Sequence, residues 1–109
     1  MTHIDQIRKI YHITDTVYKN VMDLMDEART ALKEGREYDQ YLFEQKMKNI
    51  VVAPVGDPPY DHHMVVDIAE AFLKDGRWEE VFLTLYKDDI TQKAAIERYY
   101  AEKYSSPQK

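Results

Sequence analysis

The placement of helix breakers constrains this chain more than any other feature. Three glycines and four prolines interrupt its 109 residues. Gly35 and Gly76 stand alone, while Pro54, Gly56, Pro58 and Pro59 crowd into one connection. Glycine just past a helix supplies the left-handed residue that closes its last turn, and proline cannot continue a helix because it lacks an N–H donor. The runs between these breakers are rich in helix formers and charge. The expected fold is all-α: a compact bundle of four to five helices, mostly antiparallel hairpins.

Apolar spacing agrees. Ile4, Ile7, Tyr11, Thr14, Tyr18, Val21, Met25, Ala28 and Leu32 follow steps of three and four, beside a second row of Ile10, Ile13, Val17, Leu24 and Ala31. So wide a stripe predicts helix over about 5–34, packed on several neighbours. Thr14, Asp15 and Thr16 can all cap, so one long helix and two shorter ones broken at Thr14 both satisfy the pattern. A second helix is predicted over about 38–51, with Tyr41, Leu42, Gln45, Met47 and Ile50 on its face and Pro54 as its stop. A third begins at Asp57 or Asp61 and runs to Asp75, with Val65, Ile68, Ala69, Phe72 and Leu73 inward. A fourth, over 77–87, turns Trp78, Val81, Phe82 and Leu85 inward. Asp88 or Asp89 caps the last, over 90–104, whose apolar positions are Ile90, Ala94, Ile96, Tyr99, Tyr100 and Tyr104. The one stretch suited to extended structure is Ile50-Val51-Val52.

Leu32-Lys33-Glu34-Gly35-Arg36 is nearly repeated as Leu73-Lys74-Asp75-Gly76-Arg77. Asp26 and Ala28 match Asp67 and Ala69 at the same offset, and Tyr38 corresponds to Trp78 with one residue slipped. Two helical hairpins are expected, each turning at a glycine, each with an aromatic packing back just past the turn. The stretch from Ala69 to Leu85 resembles the middle of a tetratricopeptide-type hairpin in the order Ala69, Phe72, Gly76, Trp78. It departs from that pattern at Val81 and Asp88, where small residues are usual, and no closing proline follows. An array needs about three repeats for a continuous core, so the likeness reads as shared hairpin chemistry.

The length predicts one domain over 1–104 with a C-terminal tail over 105–109. With no cysteine, disulfides, thiol catalysis and cysteine-based metal sites are excluded. A reducing, cytoplasmic setting fits. The N-terminus shows no charged leader followed by an apolar run, and the longest apolar stretch, Ile50 to Val55, is far too short to span a membrane. A net charge of −5 argues against nucleic-acid binding. The nearest approach to a basic stripe, Lys33, Arg36, Lys46 and Lys48, is interrupted by Glu34, Glu37, Asp39 and Glu44.

The densest polar cluster is Asp57, Tyr60, Asp61, His62, His63 and Asp67. His63 and Asp67 fall one helical turn apart, so imidazole and carboxylate can share a divalent metal if His3, His12 or other carboxylates converge. Read without a metal, the aspartates are caps and His63–Asp67 is a surface pair. No cofactor is expected. Enzyme signatures are missing: there is no phosphate-cradling glycine loop and no G-x-S-x-G turn. Glu79-Glu80 and Asp88-Asp89 are sequence neighbours that diverge on a helix.

Tyrosine is the surplus residue, with nine copies. Its ring buries area while its hydroxyl tolerates water, which suits it to surfaces that meet. The named contact residues are Tyr99, Tyr100 and Tyr104, then Tyr38 and Tyr41. The proline-rich stretch 53–59 reads first as an interhelix spacer and second as a docking segment. The expected role is non-enzymatic: a small regulatory or adaptor-type protein, or a self-associating bundle such as a homodimer. One alternative is a metal-binding bundle centred on His63 and Asp67. Another is an immunity or phage-encoded inhibitor-type protein that neutralises a basic partner.

Overall fold

A computed structural model describes residues 2–55 and 62–104. Among the described residues six α-helices follow one another: α1 (His3–Tyr11), α2 (Asp15–Lys33), α3 (Gln40–Val55), α4 (His62–Lys74), α5 (Glu79–Leu85) and α6 (Lys93–Tyr104). A 3-10 turn, Ile90–Gln92, leads into α6. The described residues contain no strand. The all-α expectation holds, with six helices in place of four or five.

The ambiguity at Thr14 resolves into two helices. His12 takes the left-handed conformation at φ 56°, and the Ile13 N–H reaches back to the Arg8 carbonyl at 2.9 Å. Thr14 then opens α2 by accepting the Val17 N–H at 3.2 Å. Arg8 braces the corner, donating to the Ile13 carbonyl and to Asp15 (2.6 Å) while lying 4.2 Å over the Tyr18 ring.

Both glycine turns form. Gly35 and Gly76 have φ of 73° and 74°. Arg36 N–H bonds Ala31 carbonyl and Gly35 N–H bonds Leu32 carbonyl; Arg77 with Phe72 and Gly76 with Leu73 repeat the arrangement. These paired bonds satisfy the last carbonyls of α2 and α4 in the same way. Past the turns, Tyr38 reaches Glu27 on α2, and Trp78 packs edge-on against Phe72 (5.0 Å) while donating to Asp26 at 2.9 Å. Trp78 is itself left-handed, at φ 51°, so α5 starts at Glu79 and not at Arg77.

α4 is the central element. Met64, Val65, Val66, Ile68, Ala69, Ala71, Phe72 and Leu73 are all buried. It lies against α1, α3 and α5, and α2 lies against α3 and α5. Apart from Ala31, the buried residues of α1 to α5 form one cluster. Ala28 and Ala69, the matched pair of the internal echo, are both fully buried. Their small side chains let neighbouring helices approach closely.

Four expectations need correction. α3 buries Phe43, Met47 and Val51, which recur every four residues along one face, not the face carrying Tyr41 and Leu42, and with Asp39 accepting the Leu42 N–H it starts at Gln40, two residues later than expected. α3 also continues through Pro54 to Val55, since a proline in the last turn forfeits a single donor. Ile90 and Ala94 are exposed, whereas Ile96 and Tyr99 pack on the core. Ile90 lies six residues from Ile96, about 1.7 helical turns, and so off that face. Ile10, expected in the second row of the first stripe, is likewise exposed. The cap candidates Asp57 and Asp61 and the tail 105–109 lie outside the described residues.

Candidate functional site

The named tyrosines divide into two kinds. Tyr38 and Tyr99 are half-buried and their hydroxyls are engaged, donating to Glu27 and Glu79 respectively. Burial, then the Glu27 charge and its hydrogen bond, hold the Tyr38 phenol well above its ordinary pKa. Burial and the bond to Glu79 also raise that of Tyr99, against an opposing pull from Lys103. These two wall the bundle with a polar edge. Tyr41 and Tyr100 are the outward ones, 71% and 43% exposed. Tyr100 meets Tyr99 edge-on at 5.5 Å. Tyr104 ends α6, and its side chain lies outside the described residues.

A second grouping was not anticipated. Gln40, the first residue of α3, donates to Asp89 at 2.7 Å and to Glu44 at 3.3 Å. Glu44 also accepts the hydroxyl of fully buried Tyr86 at 2.7 Å. This network fastens the start of α3 to the turn after α5. Asp89 caps that turn by accepting both the Thr91 N–H (2.9 Å) and its hydroxyl (2.6 Å). Tyr41 and Leu42 follow Gln40 directly in the chain, and Ile90 follows Asp89, so three large exposed side chains belong to the two segments that this bond joins. Leu42 is 36% exposed and Ile90 86%. The sequence held a signal for each: Leu42 is out of step with the Phe43–Met47–Val51 stripe, and Ile90 directly follows a capping aspartate.

Of the metal candidates, Asp67 and the suggested contributor His3 each have a partner in the described structure. The Asp67 carboxylate accepts the Tyr11 hydroxyl at 2.7 Å, which joins α1 to α4. The His3 ring Nδ1 is 2.9 Å from Asp75, and the His63 side chain lies outside the described residues. Among the described residues, no group of three or more His, Asp or Glu side chains is placed to hold a metal ion. Of the carboxylate pairs, Glu79 serves Tyr99 and Lys103, and Asp89 serves Gln40 and Thr91. Of the basic residues noted above, Arg36 pairs with Glu34 at 3.0 Å and Lys46 with Glu27 at 2.6 Å. Positions 56–59 of the proline-rich stretch lie outside the described residues.

No protein-family model matches the chain, and no curated protein or solved structure matches it. Among the described residues, no helix is long and apolar enough to cross a membrane.

Proposed function

We propose that this chain works in the cytoplasm by binding another protein, a second copy included, with its contact surface at the junction of α3 and the 3-10 turn. The observation that carries the reading is the exposure of Tyr41, Leu42 and Ile90 on either side of the Gln40–Asp89 bond. Single exposed apolar residues are ordinary, whereas several gathered at one place mark interaction surfaces. A fixed backbone beneath them lowers the ordering cost of binding. At about 1.5–3 kcal/mol for a side chain taken from full exposure to full burial, the area these three still expose supplies roughly 3–6 kcal/mol before association costs. Exposed Glu37, Asp39 and Asp88 lie close by in the chain and form an acidic rim, which suits a partner whose apolar contact is ringed by basic residues. Tyr100, with Tyr104 one turn on, is the second contact along α6.

A photo-crosslinking residue placed at Leu42 in the organism that encodes the protein tests this. A discrete adduct is expected, absent when the label sits at Asp23 on α2 and lost when Tyr41→Ser and Ile90→Ser are combined. No adduct from position 42, or one indifferent to the double substitution, removes this surface as the site.

A further inference from the structure

The geometry points to a second site of different chemistry: a cleft for a small organic anion, an apolar or aromatic body carrying a carboxylate or a phosphate. The cleft lies between α6, the C-terminal half of α4 and the start of α1. It arises because α6 seats shallowly. No described α6 residue is buried, and only Ile96 and Tyr99 pack against the core. The space left beneath has a volume of about 380 Å³. That falls within the roughly 300–1,000 Å³ typical of small-molecule sites.

One part of the lining is apolar: Leu73 from α4, with Ala95 and Tyr99 from α6. The rest is charged, with three cations to two carboxylates on a chain of net charge −5, and one of the cations, Lys103, is shared with Glu79 at 3.9 Å. Lys74, Arg98 and Lys103 stand around the cleft with the imidazole of His3. Two carboxylates oppose them. Glu70 is already engaged by Lys74 at 3.4 Å. Glu102 is one turn along α6 from Arg98 and competes for it, though an exposed pair at that spacing is weak.

Arg98 is the residue on which recognition turns. Among the described residues it makes no hydrogen bond or ion pair, so its donors are unspent. It lines this cleft and an adjoining one of about 460 Å³. Its planar fork matches the paired oxygens of a carboxylate or phosphate. His3 is held from one side by Asp75 through Nδ1, which leaves its other ring nitrogen available to a ligand. Lys103 lies over the Tyr99 ring at 5.5 Å, at the edge of the apolar wall. An oxyanion on Arg98 with a flat body against Leu73 and Tyr99 uses both parts of the lining.

The test is an amide NMR titration of the full chain with phenylacetate, phenyl phosphate and the neutral 2-phenylethanol. Shifts are expected at Leu73, Lys74 and along 95–103, with dissociation constants on the order of 1 mM for ligands this small. The alcohol should bind roughly tenfold more weakly, the loss expected for a missing charge-assisted contact. Arg98→Gln should weaken both anions roughly tenfold, and Glu102→Gln should tighten them. Both residues are exposed, so an unchanged thermal melt will show the fold intact. Binding of phenyl phosphate alone assigns the site to phosphates, and of phenylacetate alone to carboxylates. No shifts at these positions with either anion, equal binding of the alcohol, or indifference to Arg98→Gln overturns the assignment.

Discussion

Replacing Asp75 by alanine should cost the fold about 2–3 kcal/mol, although Asp75 lies 71 and 72 residues along the chain from the amides it holds. The first turn of α1 leaves its leading N–H groups without partners inside the helix. Thr2 takes the Asp5 N–H at 3.1 Å, and Asp5 returns the bond to Thr2. The remaining two donors go to Asp75, at the end of α4: His3 N–H at 2.9 Å and Ile4 N–H at 3.0 Å. The His3 ring adds a third contact at 2.9 Å. The Asp75 side chain is only 8% exposed, so water does not substitute freely when it is removed. Two stranded amides at about 1 kcal/mol each, plus a lost carboxylate at a helix N-terminus, make up the total. In a domain of this size that lowers the melting temperature by about 10 °C and the urea midpoint by about 1–2 M.

The same bonds set the pH dependence. Burial alone would raise the Asp75 pKa, but the backbone bonds from Ile4 and His3, with the His3 ring, outweigh it and hold it below the ordinary value. A carboxylate depressed in the folded state stabilises fully above its unfolded pKa of about 3.9, and that stabilisation is lost as pH falls through the folded value. The gap between wild type and Asp75→Ala should therefore be constant near neutrality and narrow as the pH falls below about 4. Asp75→Asn, which keeps an acceptor without the charge, should fall between them. A loss under about 0.5 kcal/mol, or a gap that stays constant into acid, would refute the reasoning.

Further consequences can be checked with the same protein. Gly76→Ala should cost about 1 kcal/mol by urea melt, since its φ of 74° is strained for alanine while an added Cβ meets nothing within 4 Å; Gly76→Asn should cost less. The neutral Tyr38 phenol is favoured in the folded state, so its stabilisation is present below the unfolded value of about 10 and lost as pH rises above it. Tyr38→Phe should then flatten the alkaline loss of stability and remove a late step from the tyrosinate absorbance titration. Amides of α6 should exchange with solvent on the order of a hundredfold faster than those of α2, because no described α6 residue is buried. Tyr99→Phe, which removes the bond to Glu79, should speed that exchange roughly fivefold further.

What could be read from the sequence was what depends on near neighbours. Gly35 and Gly76 mark turns through their own φ, Thr14 is a cap through its own hydroxyl, and the repeated motif around the glycines folds into two matching hairpin turns. The face of α3 was not legible because its apolar residues fill more than one stripe: Phe43, Met47 and Val51 are buried, and Ile50 packs beside them, while Tyr41 and Leu42 stay exposed. Contacts that join distant parts were not legible. Asp75 reads as part of a turn and serves as the cap of α1, and the bond from Tyr11 to Asp67 spans 56 residues. The junction of Tyr41, Leu42 and Ile90 depends on the Gln40–Asp89 bond, which spans 49 residues. Counting tyrosines pointed toward a surface but could not separate Tyr41 from Tyr38, whose hydroxyl is engaged within the bundle.

The most direct test of the central claim is the affinity of the protein for whatever the Leu42 crosslink captures, its own second copy or another chain, compared between wild type and the Tyr41→Ser/Ile90→Ser double variant. Both side chains face solvent, so the account predicts an unchanged melting temperature with binding weakened at least roughly tenfold, the mark of an interface centre. Equal affinity for the two proteins would contradict it.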